Sequence, residues 1–185
     1  MFVEIEAKLE VQSFEPVERR LAECGASISA QTTQTDSYFD TTDRVLTRTD
    51  QCLRLRRQAE GRRERVILTY KGAKEADDFK KRQEVNLEIQ DAAAVEKLLE
   101  GLGYNKSLAF NKKRRTWRLN DCEVALDELP LIGQFVEIEG PDSQRIARVR
   151  DMLGLSCAPQ VKDSYACLIQ AELARRGATR QEVYL

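Results

Sequence analysis

The sequence predicts an α+β domain, a mostly antiparallel closed β-barrel with flanking helices, and three observations carry that prediction. Segment after segment alternates apolar residues with charged ones: Glu4, Glu6 and Lys8 alternate with Val3, Ile5, Ala7 and Leu9. A period of two puts the charges on one face of a strand and the apolar side chains on the other. Helical stretches between the strands each carry one apolar stripe, which the apolar strand faces can receive. Finally, the stretch from Ser37 to Leu126 holds no helix long enough for a parallel crossover except near Ala92, which favours antiparallel pairing.

The alternation recurs in order along the chain. Arg54 and Arg56 alternate with Leu53 and Leu55, Thr69 and Lys71 with Leu68 and Tyr70, and Arg82, Glu84, Asn86 and Glu88 with Val85, Leu87 and Ile89. Lys112 and Arg114 precede Thr116, Asp127 follows Val124 and Leu126, and Glu137 and Glu139 flank Ile138. Helical spacing of Val17, Leu21 and Cys24, of Val95, Leu98 and Leu99, and of Ile146, Val149 and Leu153 predicts helices from about Glu15 to Cys24, Ala92 to Leu99 and Ser143 to Leu153. Asp91 and Ser143 are the expected N-caps; Gly25, Gly101 or Gly103, and Gly154 are the expected stops. Each of these helices follows an acidic strand, a weak internal repeat. A last helix from about Asp163 to Arg176, ended by Gly177, leaves residues 177–185 as a tail beyond a single domain of residues 1–176. Arg62 to Arg65 reads as a hairpin tip, and Ala73 to Lys81 as a charged loop able to cover one mouth of the barrel. With the apolar faces turned out to the helices, the charged faces converge inward on a polar tunnel.

Composition narrows the chemistry. The 185 residues, 42% hydrophobic and 33% charged, suffice for one buried core. The 30 basic and 31 acidic residues nearly cancel, so no field of one sign points to nucleic acid. There is no histidine, which excludes a His general base, a Ser-His-Asp triad and His-ligated zinc. Five scattered cysteines without a C-x-x-C pair fit a reduced setting. An acidic start that fits no signal peptide, and no apolar run near the ~20 residues of a membrane span, add the expectation of a cytoplasmic protein without a membrane partner.

Together, the Glu4-x-Glu6-x-Lys8 start, Tyr38-Phe39-Asp40, Leu53-Arg54-Leu55-Arg56, Lys71-Gly72, Arg82-x-Glu84, Lys112-x-Arg114, Asp127 and Phe135-Val136-Glu137-Ile138-Glu139 resemble the CYTH superfamily. This superfamily, also called the triphosphate tunnel metalloenzymes, includes class IV adenylyl cyclases, thiamine triphosphatases and inorganic tripolyphosphatases. The pieces run in the family's order from residue 2 to about residue 168. Lys162 and Ser164-Tyr165 are most similar to the class IV adenylyl cyclase (CyaB-type) subgroup. The resemblance implies about eight antiparallel strands around a triphosphate tunnel. It implies Mg²⁺ or Mn²⁺ as cofactor, held by Glu4, Glu6, Glu137, Glu139, Asp127 and Glu84, and a substrate phosphate chain held by Lys8, Arg54, Arg56, Lys71, Arg82, Lys112 and Arg114. Lys8 and Tyr38 match positions with a catalytic part, whereas Arg115 should point outward by parity. Two departures stand out: Leu131-Ile132-Gly133 replaces a usual Gly-Leu-Gly, and Asn111 stands where many relatives carry an acid.

The residue types agree with that chemistry. Buried charges persist when paired or when they bind something of opposite sign, and a mixed Arg and Lys lining can track successive phosphates. One ion pair near ~4 Å at an effective dielectric of ~20 contributes roughly 4 kcal/mol before desolvation, so several are needed for a polyanion. The expected partner is ATP or another linear triphosphate, with a homodimer compatible with the pattern. Two reactions fit: closure of ATP to cyclic AMP with release of pyrophosphate, or hydrolysis of tripolyphosphate, a nucleoside triphosphate or thiamine triphosphate to orthophosphate. A polyphosphate sensor without turnover is a third reading, disfavoured by the acidic strands at both ends of the chain.

Overall fold

The computed structural model describes residues 2–74 and 80–185, with the side chains of residues 2–4, 74 and 80–82 excepted. Nine strands and five helices follow in the order β1 (Phe2–Val11), α1 (Glu15–Glu23), β2 (Ser27–Asp40), α2 (Val45–Arg48), β3 (Cys52–Glu60), β4 (Arg63–Lys74), β5 (Lys80–Ile89), α3 (Ala92–Gly101), β6 (Asn105–Leu119), β7 (Cys122–Leu129), β8 (Gly133–Glu139), α4 (Ser143–Met152), α5 (Tyr165–Arg175) and β9 (Glu182–Val183). The strands form one sheet in the order β2-β3-β4-β5-β1-β8-β7-β6-β9, and β2 pairs in addition with β6, from Ser27 opposite Arg118 to Asp40 opposite Asn105. All pairings are antiparallel except the short β6–β9 contact. The α+β, mostly antiparallel architecture is therefore the one the alternation predicts.

Helices cover the apolar faces of β1, β3, β7 and β8, whereas Tyr70 of β4 and Val85 and Leu87 of β5, expected under a helix, stay 40%, 51% and 54% exposed because no helix reaches them. Ala7, Leu9, Val124, Leu126, Val136 and Ile138 meet Val17 and Leu21 of α1 and Ile146 and Val149 of α4 in one core cluster. A second layer joins Phe39 and Leu55 to Ala92 and Leu99 of α3. Ile138 and Leu55 are 0% and 1% exposed, and burial of such side chains stabilises by ~1.5–3 kcal/mol each. Ile5 packs against the same core, partly buried.

Caps explain where the helices begin. Asp91 accepts from the Ala94 amide at 3.0 Å, as expected. At α4 the capping side chain is Asp142, accepting from the Arg145 amide at 2.8 Å, rather than Ser143, which is the first helical residue. Ser164 caps α5 through the Cys167 amide at 3.2 Å. Gly154 follows α4 at φ 73, a left-handed conformation that glycine adopts without a Cβ penalty.

The one-turn α2, too short for a crossover, interrupts the β-rich stretch from Ser37 to Leu126. Three further features depart from the sequence reading. The segment set apart as a tail contributes β9, which adds to the β6 edge at Ala109 and Phe110. Leu108 and Phe110 share the strand parity of Lys112 and Arg114, so one end of the charged face is apolar, and there α5 packs through Tyr165, Ile169 and Leu173. The hairpin tip falls on Gly61 and Arg62, and Arg63, Glu64 and Arg65, expected at the tip, open β4 instead because they pair with Glu60, Ala59 and Gln58; residues 75–79, the centre of the expected mouth-covering loop, lie outside the described residues. Among the described residues no helix is long and apolar enough to cross a membrane.

Candidate functional site

A cavity of about 290 Å³ collects charged side chains from β1, β2, β3, β4, β5, β6 and β8. Eleven of the expected site residues line it: Glu6, Lys8, Tyr38, Arg54, Arg56, Lys71, Glu84, Lys112, Arg114, Glu137 and Glu139. Antiparallel register explains the convergence, because directly paired residues share a face. Glu6 stands opposite Glu139 and Lys8 opposite Glu137; Tyr38 stands opposite Arg54, and Lys71 lies between Cys52 and Glu84. Glu4 and Arg82 pair with each other in backbone register, and their side chains lie outside the described ones. Arg115 takes the opposite parity, bonds Glu18 on α1 and stacks its guanidinium 5.2 Å from the Phe14 ring.

The basic groups are held in place rather than left to roam. Arg56 grips Asp36 through Nε and Nη2 at 2.6 and 2.7 Å. Arg54 donates to Thr69 at 3.3 Å and lies 3.9 Å from Asp36, while its buried Nε makes no hydrogen bond. A buried guanidinium N–H without an acceptor is costly, and an anion in the cavity would satisfy it. Lys8 Nζ donates to the Asp163 carbonyl at 2.9 Å and lies 3.5 Å from Glu137. Lys71 is paired with Glu84, which also accepts from Asn86 at 2.8 Å.

Asp127 stands behind the lining. It is 0% exposed and accepts from Lys112 at 3.0 Å, from Arg114 Nε at 2.6 Å and from the Tyr165 hydroxyl at 3.0 Å. Arg114 also reaches Glu137. Burial pushes the Asp127 carboxyl up, but the Arg114 and Lys112 charges outweigh it and hold the group below the usual carboxylate range. For Asp36, burial is likewise outweighed by Arg56 and Arg54. Burial and the neighbouring Arg114 charge bring Lys112 down to about 8, against the opposing pull of Asp127 and Glu137. Burial and the Asp36 charge push the Tyr38 phenol up, so it is protonated at neutral pH; its ring stacks on Phe110 at 5.5 Å.

The acidic side offers only carboxylate oxygens, a donor set suited to hard divalent cations such as Mg²⁺ or Mn²⁺. Glu6 and Glu139 stand directly opposite each other on one face and both line the cavity, so two carboxylates meet on one side of it. Among the described residues no three acidic groups converge at ligand distance; one or two carboxylates completed by substrate phosphates is a usual arrangement for Mg²⁺.

The CYTH domain family model matches residues 3–153. The chain belongs to the CYTH family. It is 32% identical over 148 residues to the adenylate cyclase CyaB of Aeromonas hydrophila, covering 75% of this chain and 73% of that one. The structure of the PH1819 protein from Pyrococcus horikoshii superposes with a TM-score of 0.79 at 25% identity, covering 91% of this chain and 99% of that one. HpAC1 from Hippeastrum, whose structure is described as revealing a dominant triphosphatase activity, shares the fold with a TM-score of 0.70 at 18% identity and coverage of 97% and 98%.

Sequence reasoning missed several residues of this CYTH site. Asp36, Gln34 and Thr32 are buried on the cavity-side parity of β2, but their outward neighbours Thr33, Thr35 and Ser37 are also polar, so no alternation marks them. Asp40 lines the cavity and accepts from the amides of Thr41, Leu46 and Thr47 at 2.8, 2.9 and 2.9 Å and from the Thr47 hydroxyl at 2.6 Å. Its signal was the Asp-Thr-Thr-Asp turn. Tyr165, named in the subgroup likeness but given no part in the site, reaches the cavity from α5.

Proposed function

We propose that this protein is a divalent-metal-dependent enzyme acting on linear triphosphates, with class IV adenylyl cyclase-like conversion of ATP to cyclic AMP and pyrophosphate as its reaction. The observation that carries this reading is the meeting, in one cavity, of Glu6, Glu137 and Glu139 with six cations, Lys8, Arg54, Arg56, Lys71, Lys112 and Arg114. The β2–β6 pairing joins both ends of the strand order, which supports closure of the first eight strands into a triphosphate tunnel within a single CYTH domain of residues 1–176.

In this reading Glu6, Glu137 and Glu139, with Glu4 beside them on β1, hold the metal, and the cations hold the phosphate chain. The metal, Mg²⁺ or Mn²⁺, polarises phosphoryl oxygens and neutralises charge developing on the leaving group. Arginine forks and lysine charges fix the chain for in-line attack, so rate comes from positioning and electrostatic preorganisation. Lys8 lies beside Glu137, and Tyr38, protonated, can donate to a phosphoryl oxygen or orient the nucleophile. Asp127 takes a different part from the one its motif implies: its oxygens are committed to Lys112, Arg114 and Tyr165, so it anchors cations instead of ligating metal. Glu84, bound to Lys71 and Asn86, sets Lys71.

Hydrolysis to orthophosphate is the second reading, favoured by a lining of six cations whose proposed hold on the phosphate chain serves water attack equally well. The fold does not select between them, since HpAC1 shares it. Product analysis decides: cyclisation gives cyclic AMP and pyrophosphate from ATP and fails with 3′-deoxy-ATP. Orthophosphate from tripolyphosphate at a rate at least equal to that from ATP would replace it with the hydrolase reading.

A further inference from the structure

The two most buried ammonium groups of the cavity, Lys8 and Lys112 at 3% and 2% exposure, share one neighbour that lies beyond the residues 3–153 matched by the family model. The Tyr165 ring lies 4.2 Å from Lys8 Nζ and 4.9 Å from Lys112 Nζ. Tyr165 is 7% exposed and is itself fixed at three points. Its hydroxyl donates to Asp127, its ring meets Phe135 edge-on at 5.2 Å, and its backbone begins α5 directly after the Ser164 cap.

We propose that Tyr165 is a positioning residue of the triphosphate cradle, holding the Lys8 and Lys112 ammonium groups in place without neutralising them. The inference rests on the cavity being an anion site. A further carboxylate in this position, added to Glu137 at Lys8 and Asp127 at Lys112, would hold both ammonium groups more strongly, yet it would cancel more of their charge and compete with phosphate for their N–H donors. An aromatic face attracts a cation through its quadrupole and carries no net charge, so the positive potential stays available to a polyanion. The phenol completes the arrangement from behind: by donating to Asp127 it occupies part of the one carboxylate that contacts both Lys112 and Arg114, leaving their remaining donors for ligand. This makes α5 a working part of the site and gives a role to Tyr165 of the Ser164-Tyr165 pair.

The test compares Tyr165→Phe, which keeps the ring, with Tyr165→Leu, which removes it, using inorganic tripolyphosphate as the calorimetric probe. Tyr165→Leu should weaken binding about tenfold, with KM rising more than kcat falls, and Tyr165→Phe should stay within about threefold of the parent. Equal losses in both variants, or none in Tyr165→Leu, would overturn the proposal. A ligand-independent measurement separates its failure from that of the parent reading. Side-chain NMR signals of Lys8 and Lys112 should carry an aromatic ring-current shift that survives in Tyr165→Phe and vanishes in Tyr165→Leu. Absence of that shift in the parent protein refutes the contact itself, and a parent that shows the shift but binds no tripolyphosphate refutes the anion site and the proposal with it.

Discussion

Arg56 and Arg115 show how much hangs on the parity of a single side chain. Arg56 faces the cavity, held along one edge by Asp36 so that Nη1 remains for a ligand. Arg56→Ala should weaken tripolyphosphate binding at least tenfold, about 1.4 kcal/mol, with little change in affinity for adenosine. Arg115→Ala should leave binding unchanged but lower Tm, because Arg115 ties β6 to α1 through Glu18 and Phe14. Calorimetry and thermal melts on the two variants distinguish these roles. Lys112 gives a pH signature. Its ammonium titrates at about 8 in the free protein, below its unfolded value, so burying it charged opposes folding up to that pH, and the opposition is relieved as pH rises further. A bound polyanion favours the charged form, so triphosphate affinity should fall above pH 8, by up to tenfold per pH unit, while Lys112→Arg, charged throughout, should flatten the profile. A pH-independent affinity in the parent protein would remove Lys112 from the cradle. Leu131 records a departure from the family pattern at this scale: it stands at φ 66 where relatives place glycine, so the turn keeps its left-handed backbone at a cost of roughly 1–2 kcal/mol.

At the scale of elements, the strands were legible because charge and apolarity alternate, and the helices because their stripes repeat at 3–4 residues. What escaped was structure that breaks those periods. The α2 turn has too few residues to show a period, and it is set by Asp40, a buried carboxylate that accepts four hydrogen bonds from residues 41 to 47. Asp40→Ala should destabilise the fold by about 2 kcal/mol and loosen the 41–51 segment, which hydrogen exchange of the Leu46 and Thr47 amides would register. Unchanged protection there would show that packing, not Asp40, fixes the turn. Likewise Leu108 and Phe110 sit on the charged face, and β6 read alone gives no sign that α5 covers them. The polar run Thr32 to Ser37 hid Asp36 for the opposite reason, since both faces of that part of β2 are hydrophilic.

For the molecule as a whole, the sheet places opposite charges on one interior surface and leaves its outer face to α1, α3 and α4. Asp36 is held below its ordinary value because Arg56 and Arg54 outweigh its burial, so its contribution to stability is present above about pH 4 and is lost as pH falls through the lowered value. Asp36→Asn should therefore blunt the acid sensitivity of Tm. The acidic cluster makes the complementary claim that turnover requires a divalent ion: chelation should abolish it, and Glu137→Gln should lower it at least tenfold, about 1.4 kcal/mol of barrier. Full activity in metal-free buffer would contradict that claim. The most direct measurement is a crystal structure with tripolyphosphate and Mn²⁺, read by anomalous scattering. The account predicts a manganese peak bounded by Glu6, Glu137 and Glu139, with the phosphate chain running along Arg54, Arg56, Lys112 and Arg114. Phosphates bound outside this cavity, or a cavity holding them with no manganese at those carboxylates, would contradict it.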